Sequence, residues 1–146
     1  TAVSAAAGSD AVGGDAVARP FAWPIRVYYE DTDLAGIVYY ANYLKYMERA
    51  RTEFLLDYGI NISEYHRNGC LFAVVQVDIR YKRPAKLGDI LEVMTKIAEM
   101  THVTISIHHR VMRGTTLVAE AFVKLACIDP NGKPRRIPDE MKKIVP

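Results

Sequence analysis

After Cys70 the sequence settles into a two-residue period and keeps it for most of its remaining length, and this alternation constrains the fold more than any other feature. Ala73, Val75, Val77, Ile79 and Tyr81 alternate with Gln76, Asp78, Arg80 and Lys82. Val103, Ile105, Ile107 and Val111 alternate with Thr104, Ser106, His108 and Arg110, and Leu117, Ala119, Ala121, Val123, Leu125 and Cys127 alternate with Glu120 and Lys124. Side chains of a strand point alternately to its two faces, so each run predicts a strand with one apolar face. The run from Ile90 to Ala98 reads as apolar on both faces. Arg113-Gly114 and Pro130-Asn131-Gly132 are turn signals.

One long stretch has the helical period instead. Tyr43, Met47, Ala50, Phe54 and Tyr58 fall on one face of a helix over 42–58, and Gly59 is placed to stop it. A second helical turn is expected over 63–68. Upstream, Arg26–Tyr29 is a β-type run ending at Glu30-Asp31, followed by a polar turn in which Gly36 can take a left-handed conformation. The order strand, helix, four strands predicts an α+β domain with a five-stranded antiparallel sheet. A 17-residue helix is about 25 Å long and an 11-residue strand about 36 Å, so the sheet must curl around the helix. One helix cannot cover such a sheet, so a homo-oligomer is expected to bury the remainder and remove a strand edge.

Composition narrows the function by exclusion. The 19 Lys+Arg against 17 Asp+Glu leave +2, too little for nucleic-acid binding as the main role. No apolar run approaches the roughly 18 residues of a membrane span. Cys70 and Cys127 cannot build a disulfide framework, which points to free thiols and a cytoplasmic location. Residues 1–19 are mostly Ala, Gly, Ser and Asp, without the basic start and continuous apolar core of a secretory signal. They are expected to form a flexible extension, with the folded domain spanning 20–146.

The densest polar cluster of the folded part is Tyr29-Glu30-Asp31-Thr32-Asp33-Leu34-Ala35-Gly36, between a strand end and a helix start. Free amides at a helix start can polarise a carbonyl oxygen, and a nearby carboxylate can act as nucleophile or general base. The competing reading is a pair of acids that complement the helix dipole. A calcium loop opening at Asp31 would require Asp or Asn where Ala35 stands and Glu where Asn42 stands, and is rejected. The four histidines have no metal-ligand spacing with the cysteines, and His109, set in an apolar series, reads as a packed, hydrogen-bonded core residue. Glu48 reads as structural, pairing with Arg49, Arg51 or Thr52. The basic groups around Arg80–Lys86 and Lys133–Arg136 read as solvated strand ends or, functionally, as docking points for a phosphorylated carrier.

The stretch from Arg26 to Tyr43, with its Glu30-Asp31-Thr32-Asp33-Leu34-Ala35-Gly36 core, continues into Met47-Glu48-Arg49-Ala50-Arg51 and closely resembles the YbgC-type acyl-CoA thioesterases. These belong to the hydroxybenzoyl-CoA thioesterase group of the hotdog superfamily. The likeness extends through Tyr81-x-x-Pro84-Ala85, Leu87-Gly88-Asp89 and Asp129-Pro130, covering about residues 22 to 138. It implies a hotdog fold, a curled sheet around one long helix, and hydrolysis of acyl-CoA thioesters. It implies Asp33 as the catalytic aspartate, as nucleophile or as general base, and the backbone amide of Tyr40 as oxyanion donor. Many relatives carry histidine where this chain has Tyr40, so any acid–base help from that imidazole is absent or differently supplied. Gly36, Val38 and Tyr39 would line the substrate, and Lys82, Arg83, Lys86, Arg135 and Arg136 are candidate partners for coenzyme A phosphates. Coenzyme A would be part of the substrate, with no cofactor and no metal. Active sites shared between subunits of a homodimer or homotetramer are implied. The alternatives are an acyl group delivered on acyl carrier protein, and a non-catalytic module of the Tol–Pal cell-envelope system.

Overall fold

A computed structural model describes residues 20–146. The expected flexible extension, 1–19, lies outside the described residues. Strand β1 (Phe21–Arg26) leads through a short 3-10 turn (Tyr29–Asp31) to helix α1 (Asn42–Asp57) and the short helix α2 (Ile62–Arg67). Four long strands follow: β2 (Leu71–Tyr81), β3 (Ile90–Met100), β4 (Thr104–Arg113) and β5 (Thr116–Ile128), then a 3-10 segment at Asp139–Ile144. The strands form one antiparallel sheet in the order β1-β3-β4-β5-β2, open at β1 and β2. This is the expected α+β architecture, with the first strand displaced. The Arg26–Tyr29 run was expected to be strand, yet pairing with β3 occupies Phe21–Arg26 and the chain turns at Tyr29. Pro24 is accommodated within β1 because an edge strand tolerates a residue that cannot donate on its open side.

The helix buries Tyr43, Tyr46, Met47, Ala50, Phe54 and Leu55 and packs chiefly over β3 and β1. Tyr58 lies one residue past the helix, half-exposed against Phe54, because Gly59 at φ +77° has already turned the chain. Sheet bulges between Val74 and Gln76, Ile97 and Glu99, and Val111 and Met112 supply the bends and extra twist that curling requires. The first also corrects the strand pattern. Val74 pairs with buried Leu125 and Val77 with buried Val123, so Phe72 and Val74, not Ala73 and Val75, share the inner face, and the expected series resumes at Val77. β3 likewise differs from the expectation of two covered faces: Leu91, Val93, Thr95 and Ile97 are buried, whereas Ile90 and Lys96 face outward.

Two clusters make up the core. Under the first half of α1, Met47 and Ala50 meet Leu91, Val93, Val111, Ala119 and Ala121. Under the second half, Phe54 and Leu55 meet Ile97, Ile105, Ile107, Val123 and Cys127, capped by Ile137, Met141 and Ile144 from the C-terminal segment. Cys70 and Cys127 are free, buried thiols 3.2 Å apart. Burial, with the Cys70 thiol beside it, pushes the Cys127 thiol up to about 12. The middle of β2 stays open: Val74, Val75 and Val77 are all exposed, because α1 packs chiefly over β3 and β1, toward the other edge of the sheet.

Candidate active site

The polar cluster folds into a small hairpin braced on both sides. Thr32 bridges Val38, the Asp33 amide donates to the Ile37 carbonyl at 2.9 Å, and the Gly36 amide donates to the Asp33 carbonyl at 2.9 Å. Gly36 sits at φ +80°, a conformation that a side chain would strain. The Asp33 carboxylate, half-buried, accepts the Ala35 amide on Oδ1 at 2.8 Å, and among the described residues nothing hydrogen-bonds its other oxygen. Asp31, by contrast, is structural. Its Oδ2 accepts the Tyr28 amide at 2.8 Å, and its carbonyl accepts both the Tyr39 amide and Asn42 Nδ2 at 2.9 Å, which ties the loop to the helix start. Burial, with the Asp31 carboxylate alongside, holds the Tyr46 phenol well above its usual range, so it stays protonated.

A second tether fixes the far side. The Val38 amide donates to the Ala85 carbonyl at 2.9 Å and Ile37 bridges Lys86, so the hairpin is sewn to the β2–β3 connection. That connection is itself held by Arg113, which donates to the Pro84 carbonyl at 2.8 Å and to Asp89 at 3.1 Å. Tyr81 donates its hydroxyl to the Tyr40 carbonyl at 3.0 Å, and the Tyr40 ring lies against those of Tyr39 and Tyr81. Among the described residues the amides of Tyr40 and Ala41 have no acceptor. They precede the first turn of a 16-residue helix, where the helix dipole places partial positive charge.

A pocket of about 280 Å³ opens at the start of the helix, lined by Val38, Tyr40, Tyr43, Tyr81, Lys82 and Arg83 with Ile37 and Pro84. The structure thus brings Val38, Tyr40, Lys82 and Arg83 together. Asp33 and Gly36 are on the hairpin adjoining this pocket without lining it, and Tyr39 is stacked on Tyr40 at its side. Lys86 is next to the hairpin but outside the pocket, and Arg135 is held elsewhere, donating to the Asn68 carbonyl at 3.2 Å. Tyr43 and Tyr81 are pocket residues that the pattern did not single out. Their signal was present in aromatic residues bracketing the helix start and closing β2, but aromatic rings at strand and helix spacing also read as core.

The other polar candidates sort cleanly. Thr52 donates to Glu48 at 2.8 Å, the structural pairing expected for Glu48. His109 is fully buried, near Thr95 at 3.1 Å and Arg51 at 3.4 Å, as its place in an apolar series predicted. Burial and the neighbouring Arg51 push its pKa down to about 3, so it is neutral. His108 pairs with Glu120 at 2.7 Å on the outer face of the sheet. No metal-binding cluster occurs among the described residues, and no described helix is long and apolar enough to cross a membrane.

Comparison with known proteins gives a consistent picture. The profile of the thioesterase-like superfamily matches residues 27–145. An acyl-CoA thioester hydrolase YbgC of Escherichia coli O157:H7 is 40% identical over 120 residues, covering 81% of this chain and 90% of the relative. An acyl-CoA thioesterase YbgC of Haemophilus influenzae is 42% identical over 126 residues, covering 84% and 91%. Among solved structures, a hypothetical protein from Aquifex aeolicus superposes with a TM-score of 0.82 at 31% identity, over 87% of this chain and all of that one. A probable thioesterase from Bartonella henselae gives 0.77 at 33% identity, over 82% and 100%.

Proposed function

The chain belongs to the thioesterase-like superfamily, and from that premise we propose that it hydrolyses acyl-CoA thioesters at the start of α1, with Asp33 and the Tyr40 amide as its working groups. The observation that carries this reading is the pairing of a braced hairpin bearing a carboxylate with one uncommitted oxygen and a helix start bearing uncommitted amides. Water adds to the thioester carbonyl carbon, the C–S bond breaks, and the products are a carboxylic acid and the free thiol of coenzyme A. Asp33 either removes a proton from that water or attacks the carbonyl carbon itself, giving a mixed anhydride that water then opens. In both routes the carbonyl oxygen gains negative charge, and the Tyr40 amide is the donor proposed to stabilise it. One such donor contributes about 3–4 kcal/mol and a positioned base about 10²–10⁴-fold. The thiolate leaves readily, so the absence of a histidine at position 40 removes no obligatory acid.

Lys82 and Arg83, at the pocket rim, suit the phosphates of coenzyme A, which enters as part of the substrate. The exposed valines of β2, together with exposed Leu34, Tyr39 and Tyr40, support a site completed by a second copy of the chain. Free thiol release from short- and medium-chain acyl-CoAs by the full chain tests the reading, and absence of turnover on any thioester overturns it. The same assay with acyl carrier protein thioesters decides between the two acyl carriers, and sedimentation separates a dimer from a tetramer.

A further inference from the structure

We propose that the cavity beneath the second half of α1 is a binding site for a small carboxylic acid, with the apolar body inside the cavity and the carboxylate on Arg51. The cavity measures about 220 Å³ and is walled by Leu55, Ile97, Ile105, Ile107, Leu125 and Met141. It shares no lining residue with the pocket at Tyr40. An apolar cavity of about 150 Å³ holds benzene, so by proportion this one holds about nine non-hydrogen atoms, the size of benzoate or hexanoate.

What selects an acid is the one cation at the mouth. Arg51 lines the cavity together with Glu48 and Thr52. Burial lowers its pKa although the nearby Glu48 carboxylate pulls the other way, which marks a guanidinium partly withdrawn from water. Its one side-chain partner among the described residues is His109, which offers Nε2 as an acceptor at 3.4 Å and carries no compensating charge. With Nε2 accepting, Nδ1 keeps the proton and donates to Thr95 Oγ1 at 3.1 Å. No carboxylate among the described residues comes within 4.0 Å of Arg51, and Glu48, the carboxylate sharing the mouth, accepts a hydrogen bond from Thr52. A partly desolvated guanidinium that no carboxylate among the described residues contacts directly, set over an apolar cavity, fits the two ends of a carboxylic acid, and its planar fork can donate two parallel hydrogen bonds. Apolar walls with a few convergent polar groups are the usual make-up of a ligand site. The thioesterase reading enters only as the source of such an acid, since hydrolysis releases one.

Calorimetric titration of the full chain with hexanoate and with benzoate tests the proposal. The expected result is saturable binding of one acid per chain, with 1-hexanol, which lacks the charge, and acetate, which lacks the body, each about ten- to a hundredfold weaker. Arg51→Met, which keeps the packing stem and removes the charge, should weaken hexanoate by a similar factor and leave 1-hexanol unchanged. Val74→Trp, a change at a half-exposed position on the mouth, should abolish binding of both without disturbing the core. No saturable hexanoate binding in the millimolar range overturns the site, as does equal binding of 1-hexanol or of acetate. Thioester turnover measured on the same samples keeps the two readings apart. Acid binding without turnover sinks only the thioesterase reading, and turnover without acid binding sinks only this one.

Discussion

The two ends of α1 do opposite things with the same helix. At its start, the amides of Tyr40 and Ala41 are left uncommitted, the rings of Tyr39 and Tyr40 are exposed, and the neighbouring hairpin is tied down by backbone hydrogen bonds with Val38 as its one residue buried in the core. In its second half, Phe54 and Leu55 are enclosed by three central strands and the C-terminal segment, and the polar groups present are paired with each other. The contrast separates what a fold needs for stability from what it needs for chemistry. The enclosed half should govern unfolding, and the open end should govern turnover.

Each end can be perturbed to test that division. The largest stability effect is expected at Ile107, which is buried under the second half of the helix. Ile107→Ala should cost about 2–5 kcal/mol in urea unfolding, while Leu34→Ala on the exposed hairpin tip should stay within about 0.5 kcal/mol. A pH effect should come next, also from the enclosed half. His109 is neutral when folded, with a pKa near 3, whereas the unfolded residue titrates near 6.5. Below 6.5 the unfolded state binds a proton that the folded state refuses, so stability present above pH 6.5 is lost as pH falls toward 3. The loss amounts to about 2 kcal/mol by pH 5. His109→Gln should flatten that part of the stability profile measured by denaturant titration at each pH.

The open end should respond in rate more than in stability. Tyr81→Phe removes the hydroxyl that fixes the Tyr40 carbonyl, at an expected cost of about 0.5–1.5 kcal/mol, read as a fall in kcat with little change in unfolding midpoint. Tyr40→Phe should change kcat by less than about twofold, because the proposed mechanism uses the backbone amide, not the phenol, to stabilise the developing oxyanion. A large loss in that variant would mean that the side chain takes part.

Much of this division was legible in the sequence. Strand alternation, the helix face at Tyr43, Met47, Ala50 and Phe54, and the stop at Gly59 are local signals written in side-chain period and backbone freedom. Asp33 and Tyr40 enter through the resemblance carried by the hairpin and the helix start, and the roles given to them are proposals. Other features depend on partners distant in sequence. The phase change at Val75 is set by its neighbours, Val74 pairing with Leu125 and Val77 with Val123, and no property of Val75 announces a bulge. Strand β1 begins at Phe21 because β3, far downstream in sequence, offers an edge there. The plug made by Met141 and Ile144 joins a core assembled far upstream, and Tyr81 reaches Tyr40 across 41 residues.

The division rests finally on Asp33, and one comparison tests it most directly: thiol release from an acyl-CoA by the wild-type chain and by Asp33→Asn, with unfolding followed on the same samples. Asparagine keeps an oxygen to accept the Ala35 amide, so the hairpin and the unfolding midpoint should be unchanged. Turnover should fall by about 10²–10⁴-fold. Full turnover in a folded Asp33→Asn protein would contradict the account.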